Sequence, residues 1–153
     1  KKNKRMNKSE LMIGDIVNSP KDLKRMVVTE IKKDTVTLKT LLGDEESERA
    51  YKELEPLAFF DNRIFVALGF TDREIKTGNQ MPTVDKIIQL FHPSDSSIFF
   101  TLTVVTVSNG VWNVVIKDSS YSVCGTGWFK YVHELQNVVR SCTGLEFNKV
   151  TGL

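Results

Sequence analysis

Apolar residues alternate with polar ones in two separate stretches of this chain, and each stretch is followed by a segment whose apolar positions recur every three or four residues. Period two marks a strand with one buried face, and a period near 3.6 marks an amphipathic helix. The chain therefore reads as an α+β fold in two parts. Residues 11–56 are expected to form a small SH3-like β-barrel. Residues 57–153 are expected to form a linking helix, an antiparallel β-meander and a C-terminal helix that covers it. Residues 1–10 read as a basic, flexible leader.

The first strand is expected in Leu11–Val17, ended by the turn formers Asn18, Ser19 and Pro20. Met26–Lys32 and Thr35–Thr40 are β-branched runs joined by Lys33-Asp34 and read as a hairpin. An acidic loop from Gly43 leads to a last short strand carrying Tyr51 and Leu54, stopped by Pro56. Short strands over so brief a segment enclose an apolar face most economically by bending into a barrel, with an open meander as the competing solution.

The period changes between Pro56 and Gly69. Leu57, Phe60, Ile64, Ala67 and Leu68 repeat at helical spacing, and Gly69 stands where a left-handed terminal residue is wanted. With Phe59, Phe65 and Val66 added, this helix should be buried on more than one side. Residues 71–83, with Gly78, Asn79 and Pro82, read as a loop or irregular strand. Strands follow at 84–91, 97–107 and 111–117, the last two joined through Asn109-Gly110, a strong hairpin signal. A fourth is expected at 121–125, with Gly125-Thr126-Gly127 as a tight turn into a helix over 130–142. Val132, Leu135, Val139 and Cys142 form its apolar stripe, and Lys130, Glu134, Gln136 and Arg140 point away.

Composition excludes several classes. Apolar residues make up 41% and charged residues 26% of the 153, enough apolar surface to fold without being a disordered polymer. The run from Ile98 to Val107 is broken by three threonines and falls short of the ~20 residues that cross a bilayer, so no membrane span is expected. The basic start is not followed by an apolar signal region, and the expected location is cytoplasmic. Cys124 and Cys142, without a Cys-x-x-Cys, read as two buried thiols. The net charge of +2 conceals a gradient: residues 1–40 hold eleven Lys/Arg against five Asp/Glu, and 41–75 hold four against nine.

No motif commits the chain to a reaction. His133 and Glu134 diverge by about 100° on a helix and do not form an acid/base pair with each other. His92 and His133 lack the spacing of a zinc site, so no metal and no cofactor is expected. Gly125-Thr126-Gly127 lacks the further glycine and the lysine of a phosphate-binding loop. Trp112, Trp128 and Tyr131 are aromatics suited either to a binding platform or to sealing a core. Lys24, Arg25, Lys32 and Lys33, with Lys21 and Lys39, would track a phosphate backbone if they shared a face; otherwise they are a solvated surface.

The C-terminal stretch Tyr131, Val132, His133, Leu135, Gln136, Asn137, then Thr143, Gly144 and Glu146, resembles the ending of a group of short uncharacterised proteins of Bacteroides-type gut bacteria and their prophage or mobile elements. Their pattern is Tyr-Val-His-x-Leu-Gln-Asn, an apolar helix turn, then Leu-Thr-Gly-x-Glu-Leu; Cys142 and Phe147 replace the leucines here. The likeness extends more loosely to Ile13–Val17, Leu54–Leu57 and Leu68–Phe70. It implies a bacterial cytoplasmic protein tied to a mobile element, and it assigns no role to His133, Gln136 or Asn137. Gln136 and Asn137, polar in an apolar helix, most simply hydrogen-bond neighbouring loop backbone.

The leading expectation is a non-enzymatic binding or accessory module whose partner is a protein or a nucleic acid. The alternative is a small hydrolase or nucleotide-modifying enzyme using His133, and a third reading is a structural oligomer subunit.

Overall fold

The computed structural model describes residues 5–41, 43–58, 62–75, 83–108 and 110–147, and all that follows concerns these. The expected α+β architecture is present as two five-stranded antiparallel sheets and a C-terminal helix.

The first sheet comprises β1 (Ile16–Ser19), β2 (Lys24–Ile31), β3 (Thr35–Thr40), β4 (Glu46–Ala50) and β5 (Glu55–Pro56). Their order is β4-β3-β2-β1-β5. Alternation sends Met26 and Val28 of β2, and Val36 and Leu38 of β3, into one apolar cluster with Val17, Leu11, Met6 and Leu54. The sheet is open: β1 pairs with β5 over Val17↔Pro56 and Asn18↔Glu55, and no closed barrel forms among the described residues.

Several local expectations are corrected. The first strand starts at Ile16 because Gly14, at φ +96°, and Asp15 close a turn, in which the Met12 N–H donates to Asp15 Oδ2 at 2.9 Å. Tyr51–Glu53 is a single 3₁₀ turn that precedes β5, so Tyr51 and Leu54 are not on a strand. The leader is anchored from its sixth residue: Met6 is buried, Arg5 pairs with Glu55, and Lys8–Glu10 forms a 3₁₀ turn.

The linking helix, α1 (Asn62–Leu68), is shorter than the apolar period implies. Leu57 precedes it in extended backbone, its carbonyl accepting from the Val132 N–H at 2.8 Å, and Ala58 bridges to Tyr131. Ile64, Phe65, Ala67 and Leu68 are buried, whereas Val66 faces solvent. Gly69 takes φ +101° at the helix end, as its position implied. Phe59, Phe60, Asp61, Gly78, Asn79, Pro82 and Asn109 lie outside the described residues.

The second sheet is a meander in the order β10-β9-β8-β7-β6: β6 (Thr71–Ile75), β7 (Thr83–His92), β8 (Asp95–Ser108), β9 (Val111–Lys117) and β10 (Val123–Phe129). Residues 71–75, read as loop or irregular strand, pair in full register with β7. Leu90, Leu102, Val104, Val114, Ile116 and Phe129 line its inner face and meet α1 and the terminal helix α2 (Val132–Thr143). Gly144 ends α2 in the left-handed region, at φ +71°.

Gly125-Thr126-Gly127 is not a turn but the middle of β10. Its two glycines face α2 and remove the side chains that would hold the helix off. A Cβ on Gly125 would lie 2.2 Å from Cys142 Sγ, and one on Gly127 would lie 3.2 Å from a Val138 methyl. Phe129, next on that face, is large enough to fill the space beyond.

Replacing Gly125 with Ala is expected to cost about 1–3 kcal/mol, the usual range for overpacking. Gly127→Ala should cost less, because its contact is tight rather than impossible. Urea unfolding checks the order, and Cys142→Ala in the Gly125→Ala background should recover part of the loss.

Candidate functional site

Helix α2 joins the two halves through the polar residues that its apolar stripe leaves over. Gln136 Oε1 accepts from the Ile16 N–H at 2.8 Å, and its Nε2 donates to the Gly14 carbonyl at 3.0 Å. Asn137 Nδ2 donates to the Glu10 carbonyl at 3.1 Å. Arg140 donates to Asp15 Oδ1 at 2.8 Å, to Asn137 Oδ1 at 2.8 Å and to Glu146 Oε1 at 2.7 Å. Gln136 and Arg140 thus do not point into solvent: the helix has a second buried face, directed at β1. Asp15 and Arg140 were missed as partners. The available signal was the Gly14-Asp15 pair standing inside an otherwise apolar run.

Asp15 is fully buried. Burial pushes its carboxyl above the usual aspartate range, and hydrogen bonds from Arg140 and Met12, the Arg140 charge and Asn137 pull it part of the way back. Gly14 faces the same guanidinium, where a Cβ would sit 2.7 Å from an Arg140 nitrogen. These contacts account for Asn137 as a structural residue.

His133, 2% exposed, stacks on Tyr131 with ring centroids 5.9 Å apart. Its neighbour Glu134 turns back to accept from the Lys130 and Tyr131 N–H groups at 3.0 and 3.1 Å, so it caps α2. The His133 ring is thus buried, and the Glu134 carboxylate is engaged at the start of the helix. Trp112 packs its ring 4.8 Å from Phe65 and belongs to the core.

The basic residues of the first sheet are mostly matched by the acidic segment that follows them. Lys24 pairs with Glu45 at 2.8 Å, Lys32 with Glu48 at 2.6 Å, Lys39 with Asp44 at 3.3 Å, and Lys21 with Glu53. Arg49 grips Asp22 through two nitrogens, at 3.1 and 2.7 Å. Burial alone would raise the Asp22 pKa, but hydrogen bonds from Ser19, Arg49 and Ser47 outweigh it and hold the carboxyl low. Arg25 and Lys33 have no ion pair among the described residues.

Trp128 is different: it is 64% exposed. Since Gly127 and Phe129 face α2, Trp128 and Thr126 occupy the opposite face of β10. Pairing continues that face through Asn113 and Val105 in one row, and through Val115, Thr103 and Ile87 in the next. Phe91 and Phe99 close its far end, with centroids 5.6 Å apart. Between them and Trp128, Lys117 is the one charged side chain described. No helix lies on this face among the described residues, and Phe91, Val107 and Val123 are exposed along with Trp128.

Of the residues singled out from sequence, the structure brings Tyr131 and His133 together, and it places Trp112, Trp128, Asn137 and the lysines in separate environments. No group of three or more metal-ligating side chains occurs among the described residues, and no described helix is long and apolar enough to cross a membrane. Both cysteines are free; Cys142 is half-buried, and Cys124 is exposed rather than buried. No protein-family model, curated protein or solved structure matches the chain.

Arg140→Met leaves Asp15 buried without its cation and should cost about 3–5 kcal/mol near neutral pH. A carboxyl whose folded pKa is raised holds its proton longer in the folded state, so its share of stability falls as pH rises from the ordinary carboxylate range to the folded value. Removing Arg140 widens that window. Urea unfolding at neutral and mildly acidic pH should therefore show the variant's deficit shrinking on acidification.

Proposed function

We propose that the chain is a non-enzymatic binding module, an accessory protein of a bacterial mobile element working in the cytoplasm, and that it holds a protein partner on the uncovered face of its second sheet. The observation that carries this reading is Trp128, largely exposed on a face whose described side chains are mainly Thr, Val, Asn and aromatics. Aromatic anchors surrounded by small polar residues are what protein interfaces use.

A nucleic acid fits less well, because neutralising phosphates takes a concentration of free cations. Lys117 is the one cation among the described side chains of this face, and the lysines of the first sheet are largely engaged with carboxylates. The strand order of that sheet, with a 3₁₀ turn before its last strand, supports reading it as SH3-like in topology, a scaffold that carries many functions and dictates none. The buried imidazole of His133 speaks for binding over hydrolysis.

A photo-crosslinking residue at Thr126 should capture a discrete protein in the native host. With that protein purified, Trp128→Ala should weaken binding at least tenfold while leaving the unfolding midpoint nearly unchanged, because the side chain is exposed. The reading fails if binding ignores Trp128. It fails equally if oligonucleotides bind at micromolar concentration and lose affinity in Arg25→Glu or Lys33→Glu.

A further inference from the structure

We propose that Cys124 and Cys142 form a dithiol site that reacts with a low-molecular-weight disulfide of the glutathione type and closes into a cross-link between β10 and α2. Cys142 lies directly over Gly125, its Sγ 2.2 Å and its Cβ 2.9 Å from where a Cβ of residue 125 would stand. Cys124 is the adjoining residue, and adjacent Cα atoms are about 3.8 Å apart. Because residue 125 has no side chain, nothing from it stands between the helix thiol and the strand.

The pairing of β10 with β9 slips between Val123 and Gly125, so Cys124 is the extra residue of a bulge. A bulge interrupts strict alternation and re-aims the side chain it carries. The Cys124 thiol indeed donates to the Ile116 carbonyl at 3.5 Å, and Ile116 is the residue paired with Gly125. Both sulfurs therefore converge on the Gly125–Ile116 rung. A disulfide requires Cα atoms about 4.4–6.8 Å apart, which two residues meeting over one glycine can reach with a small rotation of α2. Burial first, and then the neighbouring Cys142, raise the Cys124 pKa.

The exposures set the order of events, since Cys124 is exposed and Cys142 half-buried. The Cys124 thiolate attacks one sulfur of the external disulfide; that S–S bond breaks, and the leaving thiolate takes up the proton Cys124 released. Cys142, losing its own proton, then attacks the Cys124 sulfur of the mixed disulfide and expels the second small thiolate, which is protonated in turn. Two protein thiols are oxidised to one disulfide, and the small disulfide is reduced to two thiols. With the Cys124 pKa raised, the reaction should be slow at neutral pH and accelerate as pH rises.

The test is intact-mass analysis of the full chain after incubation with oxidised glutathione and acid quench. The wild type should lose two hydrogens and retain no glutathione. Cys142→Ser should stop at one attached glutathione, and Cys124→Ser should react at least tenfold more slowly. Oxidised wild type should also unfold at a higher denaturant concentration than the reduced form. A wild type that accumulates attached glutathione, that links only between chains on a non-reducing gel, or that stays unmodified at alkaline pH would overturn the proposal.

Discussion

The structure depends on how helix α2 is fastened to β1. β1 is a short strand buried on both faces, with Val17 directed into the cluster of the first sheet and Ile16 into the core shared with the second. A strand that contributes consecutive residues to two cores cannot shift by one position without exchanging them, so its register must be strongly defined. Gln136 defines it, binding the backbone on either side of Asp15 in a buried setting where an unmet amide would be costly. In the Asp15–Arg140 pair, desolvating both charges offsets much of their attraction.

The same fastening accounts for the polar residues that interrupt the amphipathic pattern of α2. Gly14-Asp15-Ile16 and Gln136-Asn137 with Glu146 are distant in sequence and meet in one junction, together with Leu57, whose carbonyl receives the first N–H of α2. These segments are the two sides of a single interface. Gln136 and Asn137 bond the backbone of the first half directly, and Glu146 holds the Arg140 that pairs with Asp15.

How much of this was legible from sequence depended on which interactions decided each element. β3 falls on Thr35–Thr40, as its β-branched alternation required, and the hairpin before Val111 follows from a glycine able to take φ +76°. The apolar stripe of α2 was equally plain. Where tertiary contacts decided, local pattern failed. Arg140 looked like a solvent-facing cation because its buried partner lies 125 residues away. Gly125 and Gly127 looked like a turn because glycine's commonest local use is conformational, whereas here it admits a helix against a strand. Apolar spacing through Leu57 implied helix, but the Leu57 carbonyl is taken by α2 in an extended segment. The outer face of the second sheet was hidden for another reason. Thr, Val and Asn in alternation look the same whether a face meets water or a partner, and only the placement of Trp128 separates the cases.

Charge follows the same logic of pairing. The excess of cations before residue 40 and of carboxylates after it suggested a basic surface, yet antiparallel pairing of β3 with β4 folds one block onto the other. Each pair is solvent-screened and adds little to stability, but together they neutralise the field that would draw a polyanion. What stays unsatisfied is apolar and lies on the opposite end of the chain. A sheet whose inner face already carries two helices, and whose outer face keeps an indole in water, has more to gain from a covering surface than from a counter-ion. That asymmetry is the physical ground on which a partner is proposed for the second sheet rather than for the basic first one.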